Sequence, residues 1–344
     1  MRRAHGAHAE EVSMKVRSLA WIVALTSMFA AACGGGDDGG GGGGGRDGGG
    51  GSDPPGGPTY FWVVNELNVA GANEMGIAPG FNLDGRVSDE SDAQGCNKPD
   101  YTSPPPDNEP GVDNQLGPIL DALGGMGVDV GMEAQMAMAE GNLVILVEAT
   151  DVDDLRNDRS VGLSLLVAAR KTCMMGDADC TPTWTCDMAE RECRPPLDSM
   201  GRIRAGGTFD VSRASYMADG MTPLVSVTGS IVNGRFRGGP IDLMLTLPVR
   251  GAELTLRIRR AQVRFNPSMT AATQGVIGGS LNIDETVMAI RSVSTEIPES
   301  LVRSVLEGNA DLDPNAEGEC ESISLGMTFA GVNATKGMVV TVSD

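Results

Sequence analysis

From Thr208 onward the apolar residues of this chain recur at every second position. Val225, Val227, Gly229 and Ile231 alternate with Ser226, Thr228 and Ser230, as in a strand with one dry face and one wet face. Asn233-Gly234 follows as a two-residue hairpin turn. Ile241, Leu243, Leu245 and Leu247 then oppose Asp242 and Thr246, and Leu254, Leu256 and Ile258 oppose Glu253, Thr255, Arg257 and Arg259. Ala261, Val263 and Phe265 continue against Gln262 and Arg264, followed by Ile277, Gly279, Leu281 and Ile283. A last alternation, Ile323, Leu325, Met327 and Phe329, precedes an edge from Met338 to Val342. The pattern predicts an antiparallel meander.

The earlier half is mixed. Thr59 to Val69 reads as a first strand, and Gly71 to Pro110 as loop with turns at Asn82 to Gly85 and Ser103 to Pro106. Asp113-Asn114 is expected to cap a helix whose Leu116, Ile119, Leu120 and Leu123 share one face, and Met132, Met136 and Ala139 to form a second helical core face. Leu143 to Ala149 and Val161 to Ala168 are continuous apolar runs, expected of strands buried on both faces. Near the end, Asp284 is expected to cap a helix burying Val287 and Ile290, and Pro298 to open one burying Leu301, Val305 and Leu306 before Gly308. The fold class is mainly β: an antiparallel sandwich or a partly closed barrel, with a few short helices.

Ahead of all this lies an apolar run from Leu19 to Phe29, flanked by Lys15 and Arg17 and followed by Ala30-Ala31-Ala32-Cys33. The run is shorter than the roughly 20 apolar residues that a membrane-crossing helix needs, so it reads as a signal. Glu10 and Glu11 sit where a signal is positive, which puts the expected start at Met14. Ala30 to Cys33 resembles a bacterial lipobox, with Ala30 where leucine is usual. The resemblance implies a diacylglycerol on the Cys33 thiol, cleavage before it, and acylation of the new amine. Gly34 to Gly57 is almost all glycine, a flexible tether of about 25–30 Å. Glycine, and not aspartate, after the cysteine resembles lipoproteins sorted to the outer membrane. The expected organisation is a signal peptide over 1–32, lipidated Cys33 and tether over 33–57, and an exported β-domain over 58–344.

The net charge is −20. Residues up to Cys33 hold four Lys/Arg (Arg2, Arg3, Lys15, Arg17) and two acids, so the mature chain is at −22. Such a chain has no sequence-independent attraction for nucleic acid or for anionic membranes, and its expected membrane partner is the bilayer reached through acylated Cys33. Its seven cysteines less Cys33 leave Cys96, Cys173, Cys180, Cys186, Cys193 and Cys320, three disulfides in an oxidising compartment. The four from Cys173 to Cys193 are spaced too widely for zinc pairs and read as two local bridges in an insertion over 173–193. It resembles small cysteine modules of exported bacterial proteins. Cys96 is expected to pair with Cys320.

Both histidines, His5 and His8, precede the expected start. Imidazole-based catalysis is therefore outside the reach of the mature chain, and no phosphate-loop motif is present. The expectation is a non-enzyme, with no catalytic residue and no cofactor beyond weak calcium. Asp311, Asp313 and Asn315 resemble the start of an EF-hand loop, although Ala316 stands where that loop has glycine and Ser322 where it has its bidentate acid. Asp151 to Asp158, and Asn82 with Asp84, are further acidic loops. Arg257, Arg259 and Arg264, joined by Arg235 and Arg237, form an expected patch for an anionic partner, weighed against a merely solvated face. Taken whole, the chain resembles Gram-negative lipoproteins with glycine tethers. The functional expectation is a binding or structural β-domain for a protein or envelope partner; a carrier of an apolar ligand, suggested by the methionines from Met126 to Met138, and a carboxylate-only hydrolase are the alternatives.

Overall fold

The computed structural model describes residues 57–341, except 70, 118, 121–128, 250–251 and 294–297. The expected signal peptide, Cys33 and the expected tether up to residue 56 lie outside the described residues, as do Leu123 and Met126.

Fifteen strands and three helices are defined among the described residues. Strand β1 is Tyr60–Val69, β4 is Ile145–Thr150 and β5 is Asp158–Val167. Strands β9 (Val225–Val232), β10 (Arg235–Val249), β11 (Ala252–Pro267) and β12 (Ala271–Asn282) form the meander, and β14 is Cys320–Asn333. These eight pair antiparallel in the order β1-β4-β5-β9-β10-β11-β12-β14, and β14 pairs back onto β1. The sheet is thus ring-like. It is not a barrel: register breaks at Val64/Glu66, Gly238/Ile241, Arg259/Gln262, Arg264/Asn266 and Ala272/Gly275 bend it, and its walls collapse onto one another.

The collapse is visible in the aromatic core. Trp62 of β1 meets Phe265 of β11 edge-on at 5.9 Å, and Phe265 also packs on Phe236 and Phe329. Glycines make room for these rings. A Cβ on Gly229 or Gly238 would stand 2.5 or 2.9 Å from the Phe236 ring, and one on Gly275 would stand 2.5 Å from Phe329. The alternating pattern therefore buries few, large aromatics against bare backbone of their own and the directly paired strands. The hairpin between β9 and β10 turns where expected, with Asn233 and Gly234 both at positive φ.

Two covers lie outside the ring. The first is a strap, residues 71–116, holding the short pair β2 (Tyr101–Thr102) and β3 (Pro110–Val112). It lies so close to the sheet that a Cβ on Gly326 would meet the Pro79 carbonyl oxygen at 1.9 Å, and one on Gly278 would meet Phe81 at 2.8 Å. The Cys96–Cys320 disulfide ties the strap to β14. The second cover joins β8 (Thr208–Ser212) in parallel to β15 (Thr335–Val340), a pairing that alternation along one strand does not encode. The cysteine insertion, with hairpin β6 (Thr185–Asp187) and β7 (Glu192–Arg194), packs there through Trp184 against Phe209. Its bridges are Cys173–Cys186 and Cys180–Cys193.

The helices depart in detail from expectation. Residues 117, 119 and 120 are helical and Ile119 is buried, but Asp113 does not cap them; its carboxylate accepts the Leu83 amide. Helix α1, Val130–Ala139, is capped by Asp129. It buries Ala134, Ala137 and Met138, leaving Met132 and Met136 exposed, because the small alanines let the helix approach β1, where Gln135 donates to the Leu67 carbonyl. Helix α2, Ile283–Val293, is capped by Asn282, whose side chain accepts the Glu285 amide; Asp284, the expected cap, lies in its first turn and pairs with Arg303. Helix α3, Glu299–Gly308, buries Val302 and Leu306, and Leu301 is exposed. Strand β13, Leu312–Pro314, hangs on β14.

Candidate functional site

The expected arginine patch is divided in two. Arg257 and Arg259 sit at the β11 end near α2, where Arg257 pairs with Asp242 at 2.5 Å and Arg259 with Glu285 at 2.6 Å. Arg264 is not on a wet face: its side chain is 2 % exposed beneath the strap. Its guanidinium lies 5.0 Å over the Phe81 ring and 3.3 Å from both Asp107 and Glu109. Burial pulls the Arg264 pKa down from its ordinary value, and the two acids oppose that. Arg235 shares Asp107, and Arg237 pairs with Glu109 at 2.7 Å. The side chain of Arg237 holds the Glu109 carboxyl below its usual range.

This second cluster borders a groove. Arg159, Thr228, Ser230, Arg237 and Gln262 surround about 320 Å³ of open, solvent-facing space on the outer side of β5, β9, β10 and β11, floored by Gly229, Gly238 and Gly239. Sequence builds the floor in two steps. Gly229 and Gly238 lack side chains because Phe236 occupies the space on the inner side. Gly239, at φ +114° before Pro240, breaks the register between β10 and β11, at a place where a Cβ would meet the Ala261 carbonyl oxygen at 2.6 Å. Arg159 is exposed, and among the described residues no acid lies within ion-pair distance of it. Arg235, Arg237 and Arg264 share two acids, Asp107 and Glu109, and Arg159 pairs with none among the described residues, so arginines outnumber their paired acids here on a chain of −20.

Sequence reasoning reached Arg235, Arg237 and Arg264 by strand alternation but missed Arg159, Asp107 and Glu109. Arg159 sits at the head of a strand whose apolar run begins two residues later. The two acids reach the arginines from a loop, across 128 residues of sequence in the case of Arg237, and no local pattern announces such a pairing.

The acidic loops do not bring their oxygens together. Asp311 is buried and accepts the Ser324 amide at 2.8 Å and the Ser324 hydroxyl at 2.5 Å, Asp313 pairs with Arg260, and Asn315 accepts the Glu317 and Glu319 amides. Asp158 accepts the Asp153 and Ser160 amides, and Asn82 and Asp84 each accept an amide of their own turn. Their oxygens close turns, as short polar side chains do in loops. Under the strap, burial raises the pKa of Asp100 and Asp113, whose carboxyls hydrogen-bond to one another, and pushes Asp311 up to about 7. Among the described residues the one convergent ligand set is Cys173, Cys180 and Cys193, and these thiols are spent in disulfides.

Inside the ring, Leu163, Leu165, Val225, Val227, Ile241 and their neighbours line about 10 Å³ of free space, about the size of one water site and far below the roughly 300 Å³ of a small-molecule pocket. Comparison of the chain with protein-family models, with curated proteins and with solved structures finds no match.

Proposed function

We propose that this chain is an exported lipoprotein, held at the outer membrane through acylated Cys33, whose β-domain is a non-catalytic binding module for an anionic group on an envelope partner. The observation that carries the binding reading is the groove beside Arg159 and Arg237, a positive island on an acidic protein. A chain of −20 repels extended polyanions at long range. The matching partner therefore presents an isolated phosphate or carboxylate on an otherwise neutral or basic surface. Arginine suits this role, since its planar fork gives paired hydrogen bonds to either group.

Inorganic phosphate is the simplest probe. Titrated into the isotope-labelled full chain, it is expected to shift the side-chain resonances of Arg159, Arg237 and Gln262 with a midpoint that weakens as salt rises. Arg159→Glu is expected to abolish the shifts while leaving the fold intact, because Arg159 is exposed and has no acid partner. An unchanged response in that variant contradicts the groove as the binding site.

A further inference from the structure

Methionine is distributed in this protein opposite to every other large apolar residue. Fifteen of the 19 methionines lie among the described residues, and thirteen of them are exposed, by 45 % to 88 %. Met75, Met174, Met175, Met221 and Met269 are exposed by 72 % or more. Among the described methionines, Met138 and Met327 alone are buried. No isoleucine or phenylalanine is exposed among the described residues, and only three leucines are. Loose packing would have put leucine and isoleucine outside as well, so the sorting is specific to the thioether.

The exposed thioethers are dispersed. Met75 lies on the strap, Met132 on α1, Met175 in the cysteine insertion, Met244 on β10, Met288 on α2 and Met338 on β15. Some share an element, as Met132 and Met136 do on α1 and Met174, Met175 and Met188 in the cysteine insertion, but the set as a whole is spread over the surface. It gives a small diffusing oxidant access to sulfur from every direction. Among the described residues the other oxidisable groups are protected: the six cysteines are in disulfides, Trp62, Trp184 and Tyr216 are buried, and Tyr60 and Tyr101 are half-buried.

We infer that the domain carries a sacrificial oxidant-quenching shell, in which surface methionines consume hydrogen peroxide or hypochlorous acid at the cell envelope without loss of the fold. With peroxide, the thioether sulfur attacks one oxygen, the O–O bond breaks, and the second oxygen leaves as water after proton transfer. Each sulfur gives up two electrons and gains one oxygen as sulfoxide. With hypochlorous acid the same two electrons leave as chloride, and the sulfoxide oxygen comes from water. The sulfoxide is polar, which disrupts a core but is tolerated where the side chain already faces water.

The test oxidises the full chain with graded hypochlorous acid and maps the products by peptide mass spectrometry. The thirteen exposed methionines are expected to take one oxygen each, with Met138 and Met327 spared and thermal unfolding and tryptophan fluorescence unchanged. Unfolding after only a few additions, or Met138 and Met327 reacting as fast as the rest, would overturn the proposal. A second measurement uses a variant with the thirteen changed to leucine. Wild-type protein is expected to protect an added reporter enzyme up to about thirteen equivalents of oxidant, and the variant to protect far less. Equal protection by both proteins also overturns it; if the variant fails to fold, the peptide map alone decides.

Discussion

Asp113 shows how the strap depends on protonation. Burial, with Asp311, Asp100 and Asp84 nearby, pushes its carboxyl from 3.8 up to about 8, and Asp311 is pushed up to about 7. Folding therefore raises both pKa values, and the folded protein holds protons that the unfolded chain releases above about pH 4. The stability these groups contribute is complete below that point and is lost as pH rises through 7 to 8. Asp219 works in the opposite sense: the hydroxyl and amide of Thr222 hold it at about 2, so its contribution is complete above about pH 4 and lost in stronger acid. The midpoint of thermal unfolding is accordingly expected to be higher at about pH 5.5 than at about pH 8.5. A midpoint that is flat or rises over that range contradicts the reading of the buried carboxyls. None of this was legible from sequence, where Asp113 looked like a helix cap and Asp311 like a calcium ligand. Both are drawn instead into contacts between segments far apart in the chain.

Among the elements, the strap is the one whose place depends on a covalent link. Cys96 and Cys320 are 224 residues apart, and a bridge across so long a loop constrains the unfolded chain strongly. Replacing both with serine is expected to cost about 2–5 kcal/mol in denaturant unfolding, and to speed hydrogen exchange in the strap before the ring. A loss under about 1 kcal/mol, within the usual range of surface changes, would show that the contacts at Gly278 and Gly326 hold the strap unaided. The strands of the meander were readable because each has one dry face and hence a clean period of two; β9 to β12 and β14 fall close to where that period places them. The helices were readable as helices but not in their rotation. Met132 and Leu301 carry apolar signals equal to those of Met138 and Val302, and contact with the sheet decides between them. The parallel β8–β15 pair and the closure of β14 onto β1 join distant strands, and single-strand patterns contain neither.

At the scale of the whole molecule, two features of the described residues agree: all their cysteines are paired in three bridges, and their oxidisable rings are kept inside while most thioethers face out. Both suit an oxidising compartment, where disulfides persist and thiols do not. The candidate groove was half legible, through the arginines of β10 and β11; Arg159 and the neutralising acids became visible only once strand and strap were placed together. The export and anchoring that frame the functional reading rest on residues 30–33. They are tested most directly by the intact mass of the protein purified from the membranes of a Gram-negative host expressing the full chain. The expected mass begins at Cys33, carries a diacylglycerol and an amide-linked acyl chain, and is short of the reduced polypeptide by six hydrogens, two for each bridge. A mass that retains the residues before Cys33, or that begins there without lipid, would contradict the account.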